Sequence, residues 1–223
     1  TKQNAFKSIL PGGENHEYYK KKLDKIADFT KNLKGGDGKL IPIIFRPFHE
    51  FDGSWFWWGA NFCTAEEYKT AYKFTVEYLR DTKQVRNILF AFSPDNQFFT
   101  ISDYLYRYPG DGFVDVLGMD NYGDFDNKGD AGVQTANNKL KIISDLARQR
   151  NKIAALTETG YQITDSKSPQ PEFFSNRMYN ALTNQNIQIA YVQFWGNSEK
   201  GYFVPPSGLA DSQDFLEFSK KPK

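Results

Sequence analysis

The sequence predicts an α/β chain organised as part of a (β/α)8 TIM barrel, and three observations carry that prediction. Five short apolar, β-rich runs recur along the 223 residues, at 41–47, 87–93, 114–120, 153–157 and 189–195. Most are nearly continuous in apolar residues, without clean alternation, which is the pattern of parallel strands covered on both faces. Helical patterns separate the runs, and polar or aromatic side chains stand where each run stops.

The elements follow in order. The stretch 16–34 places Leu23, Ile26, Ala27 and Leu33 on one face, and Gly35-Gly36-Asp37-Gly38 stops it. Thr64-Ala65-Glu66-Glu67 supplies an N-cap and a glutamate at N3, a capping box, for a helix reaching residue 83. Leu140, Ile143, Leu146 and Ala147 mark another helix, and Pro171 opens a further one, to residue 184, at its first turn. Single helices between strands imply right-handed crossovers and a parallel sheet. A doubly wound nucleotide-binding sheet would need a glycine-rich loop after a strand. The glycines at 12–13 and 35–38 form neither G-x-G-x-x-G nor a Walker pattern. A barrel instead gathers functional residues at the C-terminal ends of several strands. No linker, internal repeat or charge block divides the chain, so residues 1–223 read as part of one domain.

Composition narrows the function classes. Lys+Arg 28 against Asp+Glu 27 gives a net charge of +1, so no chain-wide basic field is present to hold nucleic acid or an anionic membrane. One cysteine excludes an intramolecular disulfide framework, and with only two histidines a Cys/His zinc site is excluded too. No apolar run reaches the ~18 residues of a membrane span. Aromatic residues stand at 17%, from Phe 20, Tyr 13 and Trp 4. Flat apolar rings with polar edges suit a carbohydrate cleft and suit an ordinary core equally.

The strand ends carry the chemistry. The first run ends Arg46-Pro47-Phe48-His49-Glu50 and continues into Trp55-Phe56-Trp57-Trp58-Gly59. The second ends Ser93-Pro94-Asp95, the third Met119-Asp120-Asn121-Tyr122-Gly123, the fourth Leu156-Thr157-Glu158-Thr159-Gly160-Tyr161, the fifth Gln193-Phe194-Trp195-Gly196. Burying a charge at a crowded barrel mouth is costly unless it is paired. Glu50 and Glu158, three βα units apart and both beside aromatic runs, therefore stand out as a functional pair. Two carboxylates flanking a sugar linkage are the minimum machinery of most glycosidases, one protonated to assist the leaving oxygen and one ionised. The competing reading is two glutamates salt-bridged to barrel arginines or lysines.

Arg46-Pro47-x-His49-Glu50-x-x-Gly53-x-Trp55-Phe56-Trp57-Trp58-Gly59 resembles the signature of glycoside hydrolase family 26, the β-mannanase family of the large barrel clan. Tyr108-Pro109-Gly110-Asp111 leading into Asp120-x-Tyr122, Thr157-Glu158-x-Gly160 and Leu10-Pro11-Gly12-Gly13-Glu14 are similar to the same family. The likeness runs from residue 9 to residue 197, and the tryptophan-rich motif is its most specific part.

The resemblance implies a retaining endo-β-1,4-mannanase acting on mannan, glucomannan or galactomannan. Glu50 would be the general acid/base, at the end of barrel strand four, and Glu158 the nucleophile, at the end of strand seven. Their carboxyl groups are then expected about 5–5.5 Å apart, the separation for retention. On that count only strands four to eight are apparent, so the chain is expected to be the C-terminal part of a longer catalytic domain, with about 100 residues ahead of Thr1.

By the same resemblance His49 would hydrogen-bond the nucleophile region, Trp55 would contact sugar through its ring and N–H, Tyr122 would orient the nucleophile, and Trp195 would be a sugar platform. Arg46 reads either as a partner of a catalytic carboxylate or as a barrel ion pair. Asp120 reads either as an acceptor for a sugar hydroxyl or as a structural hydrogen-bonder. Of Trp57 and Trp58 at least one is expected only to pack, as are Phe92 and Tyr161, and His16 reads as a surface residue. Neither metal nor organic cofactor is implied, and Cys63 shows no sign of reactivity. The expected partner is the polysaccharide, the expected form a monomer, and the expected location outside the cell, at its surface or in the periplasm. Related β-1,3-xylanase, mixed-linkage β-glucanase or exo-acting mannobiose-releasing activities, and an inactive polysaccharide-binding barrel, are the alternatives.

Overall fold

The structure, a computed structural model, describes residues 2–126 and 128–222. They form two compact units, one up to Leu117 and one from Gly118 on. The division falls inside a strand rather than in a linker.

The first unit holds helices α1 (Lys2–Ile9) and α2 (His16–Asn32), strand β1 (Ile43–Phe45), helix α3 (Ala65–Glu77), strand β2 (Ile88–Phe92) and helix α4 (Ile101–Leu105), then the start of strand β3 (Val116–Asn121). β1 pairs in parallel with β2, Ile43 opposite Ile88 and Phe45 opposite Phe90. β2 pairs in parallel with β3, Phe92 opposite Leu117. α2 buries Leu23, Ala27 and Thr30, one helical stripe. The capping box at Thr64 and Glu67 forms as its spacing predicts. α3 ends at Glu77, and a wider π-helical turn over Tyr78–Thr82 carries the chain to residue 82. Phe6, Tyr68, Tyr72, Leu79, Phe92 and Tyr104 fill this unit's core. Each buried side chain of that kind contributes roughly 1.5–3 kcal/mol relative to exposure. His16, expected at the surface, is half-buried, its ring 4.5 Å from that of Phe74 and its Nδ1 2.9 Å from the Ile9 carbonyl.

The second unit holds the rest of β3, helix α5 (Gly129–Arg150), strand β4 (Ile153–Thr159), helix α6 (Tyr179–Thr183), strand β5 (Tyr191–Phe194) and helix α7 (Ser212–Lys220). β4 pairs in parallel with β5, with an irregularity between Leu156 and Thr159. Asn151, in the left-handed conformation at φ 54°, ends α5. The helix expected to open at Pro171 does not begin there. Glu172 sits left-handed at φ 50°, and a π-helical segment, Phe173–Met178, precedes α6. The strand order is β1-β2-β3-β4-β5. Full burial on both faces holds for β3 and nearly so for β4. At the ends of the order it fails, where Ile44 of β1 and Gln193 of β5 are exposed. No helix among the described residues is long and apolar enough to cross a membrane.

Candidate active site

In the first unit, the chain leaving β1 turns sharply through residues 46–50. Phe48 and Glu50 both adopt positive φ, 55° and 51°. Left-handed geometry costs a non-glycine residue roughly 1–2 kcal/mol, so the surroundings must over-determine it. Several contacts do so. The Glu50 backbone N–H donates to the Ser93 carbonyl at 2.9 Å, and Arg46 donates to the Ser93 hydroxyl at 3.2 Å. Phe48 is buried among Phe6, Tyr19, Trp58 and Tyr68. The result aims the Glu50 carboxylate at Trp55, whose indole N–H donates to its Oε2 at 2.6 Å.

The tryptophans divide as their adjacency implies. Trp58 stacks on Phe56 at 4.4 Å and donates its N–H to the His49 carbonyl at 2.7 Å. Trp57 meets Trp58 edge-on at 82° and packs on Phe6. Of the three in this loop Trp55 alone is exposed, at 47%. Its N–H is given to Glu50, and its ring is left half exposed. Gly53 lies under that ring, and a Cβ there would run into it. The His49 imidazole sits 5.0 Å from Phe56 and 5.9 Å from Trp58, centre to centre. Buried Arg107 pins the far end of the loop, donating to the Cys63 and Thr64 carbonyls at 2.9 and 3.1 Å. Cys63 is buried beneath it, and burial pushes its thiol pKa up, away from reactivity.

Asp52 is a residue the sequence reading passed over. Its Oδ1 accepts the Asp95 backbone N–H at 2.7 Å, tying the loop after β2 to the loop that carries Glu50. Burial, with the Asp95 charge beside it, raises its carboxyl to about 6 against the backbone hydrogen bonds that lower it.

In the second unit, Glu158 stands near the end of β4, 4% exposed, inside the irregular stretch of the β4–β5 ladder. Such bulges re-aim side chains next to functional sites. The Tyr122 hydroxyl donates to Glu158 Oε2 at 3.1 Å. Asp120 is fully buried and accepts the Thr157 hydroxyl at 2.7 Å, so a structural hydrogen bond is part of its role. Gly118 leaves room for Thr157, which any Cβ would strike. Trp195 follows β5 directly, its backbone N–H donating to the Thr159 carbonyl at 3.0 Å and its side chain half exposed. Phe92 and Tyr161 are buried packing residues. Phe203, which sequence reading missed, meets the Tyr122 ring edge-on at 6.0 Å. The Asn197 side chain holds its loop by accepting the Phe203 and Val204 N–H groups.

Each unit thus presents a glutamate held by an aromatic donor, Trp55 on Glu50 and Tyr122 on Glu158, and a half-exposed tryptophan, Trp55 itself in the first and Trp195 in the second. This donor set suits proton transfer and nucleophilic attack at a sugar whose apolar face stacks on a ring.

The sequence profile of glycosyl hydrolase family 26 matches residues 2–195. The chain is 45% identical over 198 residues to a mannan endo-1,4-beta-mannosidase of Bifidobacterium adolescentis, covering 85% of this chain and 20% of that protein. Among solved structures, GH26C from Muricauda sp. MAR_2010_75 superposes with a TM-score of 0.97 at 61% identity, over 99% of this chain and 59% of that one. A modular endo-beta-1,4-mannanase from Cellulomonas fimi gives 0.91 at 38% identity, over 97% of this chain and 49% of that one. The chain therefore spans less than two thirds of each of these proteins. The parallel strand–helix order described above matches part of a (β/α)8 barrel.

Proposed function

The chain belongs to glycosyl hydrolase family 26, and on that premise we propose that it forms the C-terminal part of the catalytic barrel of a retaining endo-β-1,4-mannanase. The observation that carries the reading is the pairing of each glutamate with its own aromatic donor, Trp55 on Glu50 and Tyr122 on Glu158. Glu158 attacks the anomeric carbon while Glu50 protonates the departing glycosidic oxygen, which gives a covalent mannosyl-enzyme. Glu50 then takes a proton from the water that releases the sugar, so both residues return to their starting states.

The surrounding residues fit these steps. A hydrogen bond on one oxygen of each carboxylate fixes its plane, and fixed geometry is what turns two carboxylates into a catalyst. Trp55 and Trp195 supply ring faces for the mannose units. His49, Arg46 and Asp120 serve as positioning or sugar-contacting groups. The enzyme acts outside the cell, where the polysaccharide is found, and it acts as a monomer.

The test is product analysis on β-1,4-mannan, β-1,3-xylan and mixed-linkage β-glucan, with a preparation containing all eight strands. A ladder of manno-oligosaccharides, lost in both Glu50→Ala and Glu158→Ala, is the expected result. A single disaccharide would replace the endo mode with exo action, and products from another polymer alone would replace the substrate. Binding without new reducing ends would replace catalysis with a binding role.

A further inference from the structure

Tyr122 sits in a turn whose flanks are fastened from below. Asn121 and Asp124 clasp each other: the Asp124 backbone N–H donates to Asn121 Oδ1 at 3.1 Å, and Asn121 Nδ2 donates to Asp124 Oδ2 at 3.0 Å. The same Oδ2 accepts from the Lys139 ammonium of α5 at 2.8 Å, and Lys128 reaches Oδ1 at 3.3 Å. The Phe125 N–H closes the turn onto the Tyr122 carbonyl at 3.1 Å, and the Gln170 side chain holds the Phe125 carbonyl at 3.1 Å. Toward β4, the Thr159 hydroxyl donates to the Asn121 carbonyl at 2.7 Å, one residue along from Glu158. Gly132 of α5 lies so close under the Asp124 carbonyl that no side chain fits there.

The ion pair at the base of this assembly is almost fully buried, Lys139 at 3% and Asp124 at 6% exposure. A buried pair is a poor stability device, because desolvation offsets its attraction and apolar residues of similar volume do as well. Its better use is to select one geometry among several. The geometry selected here is that of Tyr122, whose hydroxyl rests on Glu158.

We propose that Lys139, Asp124 and Asn121 are positioning residues that set the Tyr122 hydroxyl against Glu158, through the turn they clasp. None of them touches substrate, and they act on turnover only by way of Tyr122. The proposal rests on the reading of Glu158 as nucleophile for its effect on rate, and on geometry alone for its effect on Tyr122.

The test compares Lys139→Met, Lys139→Arg and the double variant Lys139→Met/Asp124→Leu in the mannan-hydrolysing polypeptide. Lys139→Met removes one partner and is expected to destabilise the fold, whereas the double variant removes both charges and is expected to be destabilised less, the Asn121 amide and Lys128 losing their shared acceptor. Turnover is the distinguishing readout. With the clasp gone, kcat of the double variant falls by about 10- to 100-fold while KM stays within about 2-fold, because the lost interaction serves the reaction and not ground-state binding. Lys139→Arg, which keeps the charge, recovers most of the rate. A folded double variant with wild-type kcat overturns the proposal and leaves a structural pair.

A crystal structure of the double variant separates this from failure of the functional reading. Displacement of the Tyr122 hydroxyl from Glu158 by about 1 Å or more is expected, an offset large enough to matter for rate. An unmoved hydroxyl rejects the proposal whatever the activity. Unchanged hydrolysis in Glu158→Ala rejects the functional reading while the displacement still decides the positioning role.

Discussion

The indole N–H of Trp55 lies 2.6 Å from Oε2 of Glu50, five residues earlier in the chain. So short a span closes only because the backbone at Glu50 is left-handed and Gly53 has no side chain. The loop thus does two jobs with one tryptophan. The ring edge fixes a carboxyl group, and on the proposed reading the exposed ring face meets sugar.

Replacing Trp55 with phenylalanine keeps a ring and removes the donor. A hydrogen bond to a neutral carboxyl is worth about 0.5–1.5 kcal/mol, so kcat on mannan is expected to fall roughly 2- to 10-fold. Trp55→Ala removes the ring as well, and KM is then expected to rise. Steady-state kinetics of the two variants check this; equal KM values in both would mean that the ring face does not hold sugar.

Gly53→Ala is expected to be as damaging as a direct change at Trp55. The added methyl occupies the space of the Trp55 ring and forces the indole off Glu50. Circular dichroism should show a retained fold alongside a loss of activity similar to that of Trp55→Phe. Full activity in Gly53→Ala would mean that the loop relaxes without cost.

Tyr122→Phe leaves ring packing against Phe203 intact and removes the hydroxyl from Glu158. The loss belongs to one charge-assisted hydrogen bond, so kcat is expected to drop by about 10- to 100-fold. Thermal stability should move little, and a large fall in melting temperature with unchanged kcat would assign Tyr122 to the fold instead.

Asp52 makes a pH-dependent contribution of defined sign. Its carboxyl is raised from 3.8 to about 6 in the folded protein, so the folded state holds the proton more tightly than the unfolded one. Below pH 3.8 the two states are equally protonated and nothing is lost. As pH rises from there through 6, the folded state pays up to about 3 kcal/mol, at 1.36 kcal/mol per unit. Asp52→Asn has no proton to lose and its oxygen still accepts the Asp95 N–H. Denaturant unfolding at pH 4 and pH 8 should therefore show the variant gaining about 2–3 kcal/mol on the native chain at the higher pH. A pH-independent difference would contradict the assignment.

Much of this arrangement was legible in the residues themselves. Five apolar runs located the five strands, and the capping box at Thr64 located α3, because both are short-range patterns. The glutamates stood out because carboxylates at strand ends need a reason. What stayed hidden depends on contacts between distant segments. Lys139 lies on a helix with Lys141 two residues on and reads as one more solvated cation, and only folding carries Asp124 to it. Asp52 looks like a loop residue until Asp95, 43 residues away, donates to it. α4 is too short for periodicity, although Thr100 and Asp103 spelled out its capping box. The left-handed backbone at Phe48 and Glu50 carries no glycine to announce it.

On the proposed reading, Glu158 and Glu50 cleave a β-mannosidic bond by double displacement. The most direct measurement is the configuration of the first sugar released from a β-1,4-manno-oligosaccharide, followed by proton NMR before mutarotation. Double displacement releases the β-anomer first, as two successive inversions at one carbon require. The α-anomer appearing first would mean direct attack by water and would remove Glu158 from the role of nucleophile.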